Sequence, residues 1–481
     1  MGNIKSKTIK GVLWNLTERL GNQIIRFCLG IILARLLMPS DYGIIALTTI
    51  IIAFSEIIAD GGFMMVLIQR RENTDREYST VFWSKLISAS IIVSIIFFLA
   101  PLVAGFYDTS ILKNVLRLIS LSLVINAFCS VHKIRLTVDL DFKGQAKIIL
   151  LSTVIGGCLG IVLALKGYGV WSLVFQTLII SAVQVVLFWL YTKWIPRFSY
   201  SYSFVKSIFG NSLYFLFANI LTVLYNNLYI TTIGKIYNPS LLGLYTRARQ
   251  FEQLPENTAN SIIVKVLFPV LTANKDNKKT LKDNTIQILS WLSFIITPIM
   301  FLLIVNAKQI IIFFLTEKWI GAVDFLIILA VAGFFIPINN ALLNIFNVLG
   351  KPKISTRIYV IKILLSAFLI LIVWKYGVLF TAAMIILENI IVFIVLSFIT
   401  KNLINLNLID IINSIGGVIV INLIVFAFIY YLLNYIDIMD FNNVVHMVIS
   451  FVSYMSILYS LGYLFKLPQV KYINTKIKGR F

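Results

Sequence analysis

The chain of 481 residues is 59% hydrophobic and only 13% charged, where a soluble domain carries roughly a quarter. Too few polar side chains exist to coat soluble domains of this length, so most of the exterior must face lipid. The 41 Lys and Arg against 20 Asp and Glu leave a net charge of +21, yet no polar basic module exists to present it to a nucleic acid. Cys28, Cys129 and Cys158 stand singly in apolar runs with no CxxC or paired spacing, so neither a disulfide framework nor a zinc site is implied. Two histidines, His132 and His446, are too few for a metal cluster. The basic start, Lys5, Lys7 and Lys10, enters a long apolar stretch without an early small-residue cleavage site, so no cleavable signal peptide is expected.

A spanning helix needs about 20 mostly apolar residues, and fourteen such runs follow one another along the chain. The first six cover 11–37, 43–67, 81–105, 115–138, 148–165 and 169–191. The next six cover 205–233, 241–273, 285–314, 323–349, 354–373 and 379–400, and two more cover 411–435 and 444–465. The runs are continuous, as in Leu86 to Ala100, and lack the alternation of a β-barrel strand. The fold expected is therefore all-α and integral to the membrane.

Lys and Arg in the short loops set the orientation. They concentrate at Lys5, Lys7 and Lys10, at Arg70, Arg71 and Arg76, and at Lys133, Arg135, Lys143 and Lys147. The same side continues through Lys193, Arg197 and Lys206, Lys275 to Lys282, Lys351 to Arg357, Lys401, and the tail from Lys466 to Arg480. Opposite loops carry scattered cations, and the last, Asp437 to Asp440, has none. Both termini are expected in the cytoplasm, and much of the positive charge is a topology signal.

The two halves echo each other. Ala34-Arg35 with Pro39-Ser40 and Gly43 recurs at an offset of 200 as Gly234-Lys235 with Pro239-Ser240 and Gly243. Tyr168-Gly169-Val170 recurs as Tyr376-Gly377-Val378. An even number of helices per unit gives the copies one orientation, related by an axis along the membrane normal. The expected organisation is an N-terminal lobe at 1–200, a C-terminal lobe at 201–402, two added helices at 403–466 and a basic cytoplasmic tail at 467–481.

Polar residues within the spans carry the functional signal. In the first run Asn15, Glu18, Arg19, Asn22 and Arg26 lie within about 100° of one another on a helix. A mid-membrane Arg costs about 2.5–3.5 kcal/mol on insertion scales, so this stripe faces water or protein. An internal ion pair of Glu18 with Arg19, or its contact with Asn22, would lock packing; a water-filled substrate cavity is the competing reading. The seventh run repeats the polar face as Asn219, Thr222, Asn226 and Tyr229, and drops the charge. The eighth adds Thr246, Arg249, Gln250, Gln253, Asn257 and Asn260, with Arg247 at its outer end and Lys265 nearer the cytoplasm. Arg19, Asn22, Arg26, Asn219, Asn226, Arg247, Arg249, Gln253 and Lys265 are the candidate substrate-binding residues. Arg binds phosphate oxygens bidentately and amides bond sugar hydroxyls, so the ligand expected is large, anionic and rich in hydroxyls. Glu18 and Asp60 are the candidate carboxylates for proton or sodium coupling. No other cofactor and no metal site is expected.

No nucleotide-binding GxxxxGK[ST] loop is present. Nor is there a carboxylate or metal constellation for glycosyl transfer, and the longest extramembrane stretches, near 139–147 and 274–284, run to about ten residues. Transport rather than catalysis is the expectation.

The run Leu33-Ala34-Arg35-Leu36-Leu37-Met38-Pro39-Ser40-Asp41-Tyr42-Gly43, with Asp60-Gly61-Gly62 and Leu67-Ile68-Gln69-Arg70, resembles the polysaccharide-biosynthesis transporters, the Wzx-type flippases. Gly243-Leu244-Tyr245, Arg247-Ala248, Pro255 and Leu349-Gly350-Lys351-Pro352 extend the likeness over nearly the whole chain. The resemblance implies the multidrug/oligosaccharidyl-lipid/polysaccharide exporter fold, two six-helix bundles around a cavity that opens alternately to either side. It also implies a cargo of undecaprenyl diphosphate carrying an oligosaccharide, flipped across the bacterial cytoplasmic membrane for O-antigen, capsule or exopolysaccharide. The implied partners are that lipid-linked oligosaccharide, membrane lipids, and the polymerase and glycosyltransferases of the pathway. A drug/cation antiporter and a lipid II flippase are the alternatives within the same fold.

Overall fold

In a computed structural model of the protein, residues 21–70, 73–263, 268–437 and 442–478 are described. Among them the secondary structure is helical throughout, and twelve segments are long and apolar enough to cross a bilayer. Fourteen spans are expected from the sequence, and the two outside this set have separate reasons. Residues 11–20 of the run at 11–37 lie outside the described residues, which leaves a helix at 21–36 that is too short to count. The run at 241–273 becomes two helices, and the first carries Arg247, Arg249, Glu252 and Glu256, which makes it polar along one side.

The chain divides into two compact units, Met1–Gly243 and Leu244–Phe481. The first unit holds α1 (residues 21–36), α2 (Pro39–Asp60), α3 (Phe63–Gln69), α4 (Asp75–Phe106), α5 (Ile111–Val138), α6 (Phe142–Leu165), α7 (Val170–Thr192) and α8 (Tyr202–Ile236). Thr74 starts α4 with a capping box: its hydroxyl accepts from the Glu77 N–H while the Glu77 carboxylate accepts from the Thr74 N–H at 2.7 Å. Gly61 and Gly62 separate α2 from α3 with φ of 52° and 80°, a left-handed pair that side-chain-bearing residues rarely adopt. Within this unit α5 packs against α4 and α7, and α2 packs against α4, α5, α7 and α8.

The lipid-facing surface is explicit on α4. Ile87, Ile91, Ile95, Phe98 and Leu102, spaced by three or four residues, are all at least half exposed. In water such a stripe would be a large uncovered apolar face; in a bilayer it is the solvent-facing side. The same helix contains Pro101, which has no N–H to offer the Phe97 carbonyl one turn earlier. Arg117 of α5 replaces that donor: its Nε donates to the Phe97 oxygen at 3.1 Å, and its guanidinium lies 4.0 Å from the Phe97 ring centroid. One arginine thus satisfies a freed backbone group and gains a cation–π contact.

The repeated turns meet reciprocally. A Cβ placed on Gly43 would stand 1.7 Å from the Pro239 carbonyl oxygen, and one placed on Gly243 would stand 1.8 Å from the Pro39 carbonyl oxygen. The offset of 200 between the two motifs therefore corresponds to a backbone crossing in which each glycine admits the other copy's proline.

The second unit takes in most of α9 (Pro239–Ile262), followed by α10 (Phe268–Ala273), α11 (Lys278–Val305), α12 (Ala307–Leu315), α13 (Ala322–Ala332) and α14 (Ile336–Val348). It continues with α15 (Pro352–Val373), α16 (Val378–Ile404), α17 (Leu408–Asp437), α18 (Asn443–Leu464) and α19 (Pro468–Lys478). The expected run at 323–349 is broken at Gly333 into α13 and α14. Leu289, Leu292, Leu342, Phe346 and Leu396 centre the core formed by α11, α14 and α16. Val425, Ile429 and Tyr454 centre a second core where α17 and α18 pack.

Candidate functional site

Charged and amide side chains gather at three places, each within one unit. On α1 Arg26 donates from Nε to the Asn22 Oδ1 at 3.2 Å, and the Thr153 hydroxyl of α6 donates to the same oxygen at 3.2 Å. The expected stripe is thus tied to α6 through Asn22, while Arg26 remains exposed. Glu18, Arg19 and Lys265 lie outside the described residues. Of the matching face on α8, Asn219 and Asn226 are exposed, Tyr229 is buried, and the Thr222 hydroxyl donates to its own helix at the Ala218 carbonyl, 2.9 Å away.

The second place is also in the first unit. Asp60, at the last turn of α2, accepts from the Lys85 ammonium of α4 at 2.7 Å. Glu56, one turn earlier, has Lys85, Lys133 and Asp60 as its charged neighbours. Charge counting assigns Lys133 to a cytoplasmic loop; the structure places it inside α5, where its ammonium donates to the Gln184 Oε1 of α7 at 2.9 Å. Two carboxylates and two ammonium groups from α2, α4 and α5 therefore share one locality with the α7 amide.

The third place is the interior of the second unit. Arg249 donates to the Tyr245 hydroxyl at 3.4 Å, and Arg247 to the Gln250 amide oxygen. Gln253 is half-buried. Asn340 of α14 donates to Asn260 at 2.9 Å, and Asn260 donates to Glu256 at 3.3 Å, so an amide relay joins α14 to α9. Beside it stand Glu252, 2% exposed, Lys362 of α15, 4% exposed, and Glu388 of α16, wholly buried. Arg249 and Glu256 are the charges acting on Glu252, and Glu388 and Glu256 those acting on Lys362. Next to Glu388, Asn339 donates to the Asn389 carbonyl at 3.0 Å. Gly333, at the break between α13 and α14, makes room for Glu252: a Cβ there would come to 3.0 Å of its Oε1.

The amide and arginine stripe of α9 is expected from the sequence, whereas Glu252, Glu256, Lys362 and Glu388 are not among the residues expected there. A signal for them exists. Arg249, Glu252 and Glu256 recur at helical spacing, and Lys362 and Glu388 each interrupt an otherwise apolar run, where an ionisable residue is expensive unless it is paired. Among the described residues no group of three or more His, Cys, Asp and Glu side chains is arranged to hold a metal ion.

Twelve helices long and apolar enough to cross a bilayer, with charged side chains buried among them, define an integral membrane protein. Residues 32–324, more than half of the chain, match the family described as polysaccharide biosynthesis protein, and the chain belongs to that family. It is 23% identical to the teichuronic acid biosynthesis protein TuaB of Bacillus subtilis (strain 168), over 74% of each chain. It is 23% identical to the succinoglycan biosynthesis transport protein ExoT of Rhizobium meliloti (strain 1021), over 68% of this chain and 67% of that protein. It is also 23% identical to the lipopolysaccharide biosynthesis protein WzxC of Escherichia coli (strain K12), over 75% of this chain and 74% of that one. Among solved structures, the inward closed conformation of the lipid II flippase MurJ superposes with a TM-score of 0.71 at 17% identity, covering 94% of this chain and 99% of that one. An inward-facing multidrug resistance MATE transporter of the MOP superfamily superposes with a TM-score of 0.63 at 17% identity, covering 80% of this chain and 94% of that one. The fold expected from the sequence is the fold these proteins share.

Proposed function

We propose that this protein translocates an oligosaccharide linked to a prenyl diphosphate, the repeat unit of a surface polysaccharide, across the bacterial cytoplasmic membrane by alternating access. The observation that carries this reading is the match to the polysaccharide biosynthesis family over a chain of bilayer-spanning helices that carry cations and amides among their polar side chains. Arg19, Arg26, Arg247, Arg249 and Lys265 suit the diphosphate, and Asn22, Asn219, Asn226 and Gln253 suit the sugar hydroxyls. Glu18 and Asp60 are the proposed carboxylates for proton or sodium coupling. The Lys and Arg of the loops put both termini in the cytoplasm. The protein is a carrier and not an enzyme; a polymerase and glycosyltransferases are the partners its cargo requires before and after the crossing.

Deletion of the gene should strip the surface polysaccharide and leave lipid-linked repeat units in the membrane. Arg26→Ala and Arg249→Ala should each fail to restore the polysaccharide to that strain, at wild-type protein levels by immunoblot. Full restoration by both variants would remove the two arginines from the cargo site. Lysis on depletion, with the surface sugar intact, would instead point to a peptidoglycan precursor as cargo.

A further inference from the structure

The Asp60–Lys85–Lys133 locality bears on how cargo is loaded. The Asp60–Lys85 pair is short but not sealed, with side-chain exposures of 28% and 19%. Lys133 is half-buried, and its ammonium lies 2.9 Å from the Gln184 amide oxygen and 5.5 Å from the centroid of the Phe188 ring. Among the described residues it has no carboxylate within ion-pair distance. A half-buried ammonium that settles for a neutral amide is a cation with capacity for an anion, since two of its three N–H groups are not used on Gln184.

We propose that Lys85 and Lys133 together receive the diphosphate headgroup, that the headgroup displaces Asp60 from Lys85, and that the freed Asp60 carboxylate takes up a proton. The proposal rests on the reading of the chain as a carrier of diphosphate-linked cargo. Charge balance supplies the reason. Without cargo, Glu56, Asp60, Lys85 and Lys133 sum to zero. A headgroup with at least two negative charges, placed on both ammonium groups, leaves Glu56 and Asp60 beside it with no compensating cation, and like charges in a site of low dielectric favour the protonated carboxyl. The proton comes from water and adds to a carboxylate oxygen; no bond to phosphorus forms or breaks. Asp60 pairs with Lys85 from α4; Glu56, on its own helix, has Asp60, Lys85 and Lys133 from α5 as charged neighbours, and Lys133 in turn donates to the neutral Gln184 amide from α7. Release of the headgroup returns Asp60 to Lys85 and expels the proton, so loading and unloading each carry a proton step. The site also differs from the arginine and amide stripes: its cations are lysines, one held by a carboxylate and the other by an amide.

The test uses the full-length protein in phosphatidylcholine nanodiscs, so that no anionic lipid competes. Farnesyl diphosphate is titrated calorimetrically in buffers of different ionisation enthalpy. Inorganic pyrophosphate and farnesol serve as the two halves of the probe. Binding should be accompanied by net proton uptake and should strengthen as pH falls, by up to about tenfold per pH unit for one linked proton. Lys85→Gln and Lys133→Gln should each weaken binding about tenfold or more. Asp60→Asn should tighten it and remove most of the proton uptake, because Lys85 is then released in advance. Pyrophosphate should compete weakly and farnesol should not compete. If the wild type binds farnesyl diphosphate but Lys85→Gln and Lys133→Gln bind equally well, or if Asp60→Asn keeps the full uptake, the exchange site is overturned and the cargo reading stands. If pyrophosphate binds as tightly as farnesyl diphosphate, the ligand is a free phosphate and the loading role is overturned. If the wild type binds neither, the cargo reading itself falls.

Discussion

Gly43→Ala is expected to destabilise the protein by about 3 kcal/mol or more, and Gly243→Ala to do the same, the upper range for overpacking. Both clashes are with backbone. A Cβ on Gly43 would lie within 3.0 Å of three Pro239 atoms, its O, C and Cα, and one on Gly243 would lie 1.8 Å and 2.6 Å from the Pro39 O and C. No rotamer relieves a contact with a carbonyl, and a proline cannot swing its own φ to yield. Neither glycine has a positive φ, so the cost is steric alone. Relief requires the two turns to separate, which pulls on the α2–α8 packing where Leu47 lies under Gly234. Gly105→Ala on α4 is the control, because a Cβ there meets nothing within 4 Å. It should leave stability unchanged or raise it by about 0.5–1 kcal/mol. Thermal unfolding in detergent, followed by tryptophan fluorescence, reads all three. A wild-type Tm for Gly43→Ala would show that the crossing does not bear on stability.

Lys362→Ala should cost about 3–5 kcal/mol, because it removes the buried ammonium that acts on the buried Glu388 and the half-buried Glu256 and leaves negative charge uncompensated in the interior. The double variant Lys362→Met with Glu388→Gln should be much less harmful than Lys362→Ala, since it removes a charge of each sign together and keeps the volume. A double-mutant cycle on Tm should give a coupling of about 2 kcal/mol between positions 362 and 388. Strict additivity would mean that the two residues do not share a charge network.

Much of this structure is written in the hydropathy of the chain. The limits of α4, α5, α6 and α7 follow the apolar runs, and the Pro39–Gly43 echo at Pro239–Gly243 marks two turns that touch. Periodicity identifies a face, not its partner, and the residues the sequence reading passes over have partners that come from distant segments. Glu388 looks isolated in an apolar run until α15 brings Lys362 toward it. Lys133 falls within the run at 115–138, yet its charge groups it with the basic loop that follows; α5 carries it toward Gln184, 51 residues away. Asp60 beside Gly61-Gly62 is legible as a helix end. Its ion pair with Lys85, across the turn that follows, depends on the angle at which α2 meets α4, and no spacing rule supplies that angle.

The most direct test of the account is translocation by the purified protein in proteoliposomes. Undecaprenyl diphosphate bearing the native repeat unit is incorporated in both leaflets, and the fraction open to an external glycosidase is followed with time. Vesicles containing the protein should expose the inner-leaflet pool that protein-free vesicles keep protected, and a cationic dye should not be exported. A protected pool that stays protected while the dye is transported would contradict the account.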